Sequence, residues 1–394
     1  MAFNTNTLEI VSLVVLILCF TAQMLYYWVV LAKPLYYVKN IARKKSENLT
    51  AQPPVSVIIP LIDSQHDLSR LLSPVLEQEY PKFEVIVVTG GISDEEEEIL
   101  TRLKNRYSNL YSTRIPVNTK NLSRQKLAIT LGIKAAKYNK LLFTEHDSSI
   151  RSEHWISFMA RHFSDKKTIV LGFSASEPGQ SFWSKYKSYD YFFSNLQMIS
   201  FALLKHPYSG NGRNMAYSKD HFIEHKGFIK HLALQQGEDD LFINEIASGE
   251  NTAVELSDQS VTMTDINESD IWKRQKIDRM LTKHFYKWGP GAFWRSEIYT
   301  RIIFFSAVII CFIYGLPYTS SRDFLLAGIA LFFLIVRLFS QLFIINKIVE
   351  RLRLKKFYLA IIPFDVLQPF IDLYFYIYQI LTKKDNYTYR YEKR

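Results

Sequence analysis

The sequence predicts an α/β domain built on a mostly parallel sheet, with membrane-crossing α-helices at both ends of the chain. Three observations predict it. Between residues 53 and 295, strand-length apolar runs alternate with helix-length amphipathic runs, the order that a parallel sheet with crossover helices imposes. Residues 8–31 form an almost unbroken apolar run, longer than the roughly 20 residues a helix needs to cross a bilayer. Three more apolar runs follow the α/β region. The chain has 394 residues, 48% hydrophobic and 15% aromatic, enough for a sizeable core as well as these helices.

The first apolar run carries no central charge and is followed by Lys33, Lys39, Arg43, Lys44 and Lys45. A cleaved signal peptide has its basic residues before a shorter apolar core, so this run reads as a retained anchor. The basic cluster behind it places the chain from about residue 33 onward on the cytoplasmic side. Runs at 302–316 and 324–345, separated by PYTSSRD, read as a helical hairpin. It returns to Lys347, Arg351, Arg353, Lys355 and Lys356, which gives the same orientation. The last run, 357–381, contains Pro363, Asp365, Pro369 and Asp372 and is read as either a span or a re-entrant helix. Arg337, Gln341, Asp365 and Asp372 lie inside apolar runs and are expected to pair between helices.

The predicted organisation is an anchor at 1–32, a basic linker at 33–52, a cytoplasmic α/β domain at 53–295, membrane helices within 296–382 (302–318, 324–345 and 357–381) and a basic tail at 383–394. The expected location is the cell (inner) membrane. The formal net charge is +10, but much of the Lys and Arg flanks the apolar runs. Attraction to anionic lipid head groups accounts for it, and no nucleic-acid partner is expected. The two cysteines, Cys19 and Cys311, both fall in predicted membrane helices, which excludes a disulfide framework and a cysteine metal site.

Within the α/β region, VSVIIP (55–60) reads as a buried strand and 67–77 as a helix. FEVIVV (83–88) is the second strand, ending in Thr89, Gly90 and Gly91. The acidic run 94–98 sits where a helix begins, as the helix dipole favours. SRQKLAITLGIKAAK (123–137) has helical spacing and leads into LLFTEHDSSI (141–150), an apolar strand ending in Glu145 and Asp147, with Ser148 and Ser149 suited to cap a following helix. A helix near 152–163, a strand at 168–173 and an aromatic-rich segment at 182–196 come next. The aromatic segment suits either a sugar cradle or packing toward the membrane. SGNGRNMAYS (209–218) is a glycine-rich turn in which Asn214 is placed to orient a hydroxyl. GEDDL (237–241) starts a helix, 254–264 is strand-like, and WKRQKIDRMLTK (272–283) is a basic helix.

The chemistry centres on the acids. Hard oxygen ligands at a strand end suit Mg²⁺ or Mn²⁺ bound to a diphosphate, and open α/β sheets collect ligands at that end. A carboxylate from GEDDL near such a ligand suits a general base. Arg279, with a neighbouring Lys or Gln, suits stabilisation of a departing diphosphate.

VSVIIP, FEVIVV with its glycine turn, KLAITLGIKAA, LLFTEHDSSI, GNGRNMAYS, GEDDL and WKRQKIDRM together, in this order, resemble the membrane-bound family-2 glycosyltransferases, which have a GT-A fold. The resemblance implies an inverting transfer from a nucleotide-diphosphate sugar, with a divalent cation (Mg²⁺ or Mn²⁺) as cofactor. It implies that Asp147 binds the cation, that Glu145 sits beside the ribose or metal, and that Asp239, with Glu238 next to it, is the catalytic base. Lys126 matches a basic residue near the nucleotide phosphates. Pro60, Thr89 and Lys276 fall among the donor-binding positions, Arg279 serves the leaving group and Asn214 lies on the acceptor side.

Three positions depart from the family pattern. The acids expected after the second strand, one of which reads uracil, are Thr89 and Gly90 here, so the donor base is left open. The acidic triplet begins with Glu145 where Asp is usual. The Gln-x-x-Arg-Trp motif of processive synthases appears as Lys276-x-x-Arg279-Met280. Without the stacking tryptophan, the expectation is addition of a single sugar to a lipid-linked or cell-envelope glycan acceptor. The alternatives are a processive polysaccharide synthase and a catalytically silent GT-A protein that binds glycan or partners.

Overall fold

A computed structural model describes residues 5–43, 52–62, 68–116, 123–266, 269–287, 290–315 and 321–382. The chain divides into two compact units, Met1–Tyr36 with Trp288–Leu373, and Tyr37–Lys287 with Tyr374–Arg394. It begins with α1 (Thr5–Leu25), a wider π-type turn at Tyr26–Leu31 and α2 (Lys33–Arg43). Next come β1 (Val55–Ile62), α3 (Leu68–Leu76), β2 (Phe83–Gly90), α4 (Asp94–Arg106), β3 (Leu110–Arg114), α5 (Arg124–Ala135), β4 (Lys140–Phe143), β5 (Ser148–Ile150) and α6 (Trp155–Ala160). They lead to β6 (Ile169–Leu171), β7 (Ser174–Ala175), α7 (Phe182–Leu203), β8 (Met215–Ser218), α8 (Lys219–Glu224), α9 (Asp240–Ile246), β9 (Thr252–Val254), β10 (Thr262–Thr264) and α10 (Ser269–Thr282). The last helices are α11 (Pro290–Gly315), α12 (Ser321–Arg351) and α13 (Ile361–Thr382).

The α/β unit is built on a seven-stranded sheet of order β3-β2-β1-β4-β8-β6-β9. β1 runs parallel to β2 and β4, β2 to β3, and β6 to β9; only β8 is antiparallel to its neighbours. This is the mostly parallel sheet of the expected α/β fold. β1 and β2 are buried along almost their whole length, which is why VSVIIP and FEVIVV carry no polar alternation. α5 lies close against this sheet at Gly132, where an added Cβ would stand 2.6 Å from Ile58. The acidic run starts α4 as expected. Ser93 accepts from the Glu96 N–H while the Glu96 carboxylate accepts from the Ser93 N–H, a reciprocal cap.

Several local expectations are corrected. Ser148 and Ser149 do not cap a helix; they enter β5, which pairs antiparallel with β10 in a separate three-stranded sheet, β5-β10-β7. Ser148 and Ile150 point inward and Ser149 outward, a period of two too short to recognise in the chain. The run 254–264 is two strands in two sheets, split where the Ser257 side chain caps a short turn. β3 was not anticipated, because only Leu110 of its five residues is buried. α7 buries Tyr186, Tyr189, Phe192 and Phe193 in the domain interior, while Phe182 and Trp183 at its start are exposed.

Among the described residues, four helices are long and apolar enough to cross a membrane, Glu9–Val38, Ser296–Gly315, Phe324–Arg351 and Tyr358–Leu381. Leu16, Phe304, Ala307, Val308 and Ala330 pack inside, while Ile313, Phe332 and Phe339 point outward. α11 begins at Pro290, upstream of the expected 296 boundary. α13 continues through Pro369 as one helix. The expected interhelical pairing is present. Arg337 meets Asp365 at 2.8 Å, and Arg301 meets Asp365 at 3.1 Å and Glu297 at 2.6 Å.

Candidate active site

The register of the parallel strands determines where ligands collect. Ile58 pairs with Phe143 and Leu61 with Thr89, so the carboxyl ends of β1, β2 and β4 lie along one edge of the sheet. Pro60 and Thr89 sit near that edge, buried, with the Thr89 hydroxyl donating to the Thr113 carbonyl at 3.3 Å. Past Phe143 the chain leaves the sheet, and the loop between β4 and β5 carries Glu145 and Asp147.

Both acids meet Arg213. Its Nε donates to Asp147 Oδ1 at 2.9 Å and its Nη2 to Asp147 Oδ2 at 2.6 Å, a two-pronged fork, and Nη2 lies 3.0 Å from Glu145 Oε2. The Gln275 amide oxygen, in the orientation that satisfies both groups, also accepts from Arg213. Burial pushes the Glu145 carboxyl up to about 7; Arg213 opposes that rise, and Asp147 and Asp239 add to it. Two hard carboxylates closing on one cation are a donor set that fits Mg²⁺ or Mn²⁺, with the guanidinium standing in for the ion.

The base candidate comes from a different segment, the turn that starts α9. Asp239 caps α9 and accepts from two backbone N–H groups, Gly212 at 3.1 Å and Asp240 at 2.6 Å. Gly212 is the hinge between the two acid groups. A Cβ there would stand 2.5 Å from Glu145 Oε1, so glycine lets that carboxylate approach the same turn whose N–H donates to Asp239. The preceding turn needs Gly237 at φ +100°. Glu238 is raised well above the usual carboxyl range by burial and by Asp239, and its Oε2 has no hydrogen-bond partner among the described residues. Asp240 turns away from the acids and accepts from Thr282 and, at 2.8 Å, from Tyr286, tying α9 to the end of α10. Burial and Asp239 raise Asp240 to about 6, against the pull of those two hydrogen bonds.

Around this centre the other expected residues divide. Arg279 donates to Ser194 at 2.6 Å, lies 5.7 Å over the Tyr191 ring and acts electrostatically on Glu145, so it belongs to the site. Lys276 donates to Asp190 at 2.6 Å, beside the Trp272 indole N–H on the same carboxylate. Lys126 faces inward: its ammonium donates to the carbonyls of His231 and, at 2.8 Å, Leu234, and burial lowers it to about 8. It braces the loop ahead of GEDDL, contrary to the phosphate contact expected of it. Asn214 is fully buried, accepting from the Trp155 indole at 3.1 Å and donating to the carbonyls of Phe173 and Ser260, each at 2.8 Å. With its side chain consumed there, it pins the loop and does not reach an acceptor hydroxyl.

Three residues were given no role in the sequence reading: Arg213, Asp190 and Ser194, whereas Gln275 is the Gln expected beside Arg279. A signal for Arg213 existed, since a lone cation between a glycine turn and a buried strand needs a partner. Asp190 and Ser194 were hidden in an aromatic helix whose burial only the packing reveals.

The model of "Glycosyl transferase family 21" matches residues 11–384, from the first apolar helix to the last. This family belongs to the same clan as family 2, to which the motifs pointed. A search of curated protein sequences finds no match to this chain. Among solved structures, the mannosyltransferase PcManGT from Pyrobaculum calidifontis, in complex with GDP-Man and Mn²⁺, superposes with a TM-score of 0.53 at 16% identity, covering 82% of this chain and 92% of that one. S. aureus TarS 1–349 in complex with UDP-GlcNAc is also similar, with a TM-score of 0.40, 16% identity, and 70% and 79% of the two chains covered. The fold is GT-A, and the matched model spans the α/β domain together with the apolar helices on both sides of it. The chain belongs to glycosyl transferase family 21 and is a glycosyltransferase.

Proposed function

We propose that the protein transfers a single sugar, with inversion, from a nucleotide-diphosphate sugar to a lipid-linked or cell-envelope glycan acceptor, and that it works at the cytoplasmic face of the cell membrane. One observation carries this reading: Glu145 and Asp147 on one side of Gly212, and Asp239 on the other, border a single site at the carboxyl edge of the sheet. Donor and base are thereby set at neighbouring positions, as a single displacement needs.

In that reaction the acceptor hydroxyl oxygen bonds to the anomeric carbon as the bond to the diphosphate oxygen breaks, and its proton passes to Asp239. Two backbone N–H groups hold the Asp239 carboxylate in place while leaving lone pairs free to accept that proton. Glu238 is raised well above the usual carboxyl range by burial and by Asp239, and Asp239, which accepts from Gly212 beside Glu145, is the better placed of the two acids to act as the base. Glu145 and Asp147 would hold Mg²⁺ or Mn²⁺, which when bound neutralises charge on the departing diphosphate. Arg279, steadied by Ser194, adds positive charge on the leaving-group side. Lys276 contributes through Asp190, keeping α10 against α7.

Two features support the acceptor and the location. The apolar helices in the matched family span suit a membrane-borne acceptor, and the Lys and Arg clusters after residue 32 and after 346 favour the cytoplasmic side. Met280, in the place of a stacking tryptophan, favours single addition.

The decisive experiment supplies purified full-length protein with a panel of nucleotide-sugars, Mg²⁺ or Mn²⁺, and extracted membrane lipid, and reads the products by mass spectrometry. A lipid heavier by one hexose-type unit is expected with at least one donor. A ladder of masses would make it a polymer synthase, and failure to consume any donor would leave only a binding role.

A further inference from the structure

We propose that Arg213 is a resident counter-cation, seated where the divalent cation binds, so that metal and donor enter by displacing it from Asp147 and Glu145. The inference rests on the proposed role of those two carboxylates as the cation ligands. Arg213 touches Asp147 at 2.9 and 2.6 Å and Glu145 at 3.0 Å, and its side chain is only 10% exposed. A divalent cation needs carboxylate oxygens within about 2.0–2.6 Å. The guanidinium already neutralises these carboxylates at hydrogen-bond range, so a divalent ion seated on the same oxygens would stand beside an unmoved positive charge, and that repulsion favours displacement.

The surroundings let the side chain leave while the backbone stays. The Arg213 N–H donates to Asn211 Oδ1 at 3.1 Å, and the Asn211 amide in turn donates to Tyr191 at 3.0 Å and Asn195 at 2.8 Å, so the loop is anchored on α7. Only side-chain torsions have to change. Gln275 on α10 already accepts from the guanidinium and marks the direction of travel, toward the helix that carries Arg279. A diphosphate arriving there supplies the anion that Arg213 gives up.

Charge then couples the two ligands. A cation entering alone strands the displaced arginine, whereas a cation entering with a nucleoside diphosphate gives it a partner. Metal and nucleotide should therefore bind cooperatively, each strengthening the other by the same factor. Arg213 is in this sense a positioning residue that reports donor arrival to the cation ligands.

The test is Mn²⁺ binding to the purified full-length protein, followed by electron paramagnetic resonance of the free ion, alone and with GDP or UDP. Wild-type protein should bind Mn²⁺ weakly alone and at least about tenfold more tightly with a nucleoside diphosphate. Arg213→Met should bind Mn²⁺ alone at least about tenfold more tightly than wild type and lose most of that cooperativity, because nothing has to be displaced. Mn²⁺ should also raise its melting temperature more than that of wild type. Should Arg213→Met fold poorly, Arg213→Lys keeps the charge, loses the fork, and should still bind Mn²⁺ more tightly than wild type. Equal Mn²⁺ affinity in wild type and variants, with turnover abolished by EDTA, would overturn the displacement and leave the cation reading intact. No Mn²⁺ bound by any of them, with turnover untouched by EDTA, would make Arg213 the permanent cation and remove the metal from the mechanism.

Discussion

In the helical unit, Arg301 and Arg337 converge on Asp365 at 3.1 and 2.8 Å; in the α/β unit, Arg213 converges on Asp147 and Glu145 at 2.6 and 3.0 Å. The ion pairs are chemically alike, and their surroundings are not. The first cluster draws on all four apolar helices: Gln23 and Tyr27, Glu297 and Arg301, Arg337, and Asp365 with Gln368. Arg337 and Asp365 are both 0% exposed, and the network is enclosed among the helices. The second sits on loops at a sheet edge, flanked by Gly212 and next to the acids of GEDDL. A charge cluster enclosed among helices serves as glue, whereas the one beside the acids of GEDDL is where the proposed exchange of cations would take place.

Replacing a single acid in each region tests this contrast. Asp239→Asn keeps the shape and the Gly212 contact but cannot take a proton, so turnover should fall by about 10²–10⁴-fold with donor binding retained, as radiolabelled-donor assays and nucleotide binding would measure. An unchanged rate would remove Asp239 from its role. Asp365→Ala removes the acid partner of buried Arg337 and one of the two acids on Arg301, which keeps Glu297, and should cost about 3–5 kcal/mol of stability, seen as lost folded yield in detergent, with kcat preserved in the folded fraction. A selective loss of kcat there, at normal yield, would mean that the helical cluster takes part in the chemistry.

The smallest effect concerns Asp240. Its folded pKa of about 6 lies above the ordinary aspartate value of 3.8, so between those values the folded protein keeps a proton that the unfolded chain has released. That contribution to stability is present at low pH and is lost as pH rises through about 6. Asp240→Asn removes the titration while keeping an acceptor for Tyr286, so the variant should gain on wild type in melting temperature between pH 5 and pH 8. A pH-independent difference would show that Asp240 is not a buried, titrating link between α9 and α10.

Much of the fold was legible, and the reason lies in burial. β1, β2 and β4 are covered on both faces and so appear as unbroken apolar runs. β5, β7 and β10 are two or three residues long and leave no periodicity to read. Among the polar residues, sequence position told which were near the site and not which way they pointed. Asn214 and Lys126 lie in the expected motifs, yet both spend their hydrogen bonds on backbone carbonyls of the domain itself. Arg213 is the opposite case, a residue of GNGRNMAYS that was assigned no role and that the loop delivers onto the two acids.

What the chain alone determined is what local chemistry dictates: which segments are apolar enough to be strands or to cross a membrane, and which acids lie at strand and helix ends. Only the tertiary structure decided the pairing of those charges. Coulomb energy and hydrogen-bond geometry depend on distance in space, and residues 145, 213, 239 and 275, far apart along the backbone, become neighbours only when the sheet, α7 and α10 are packed.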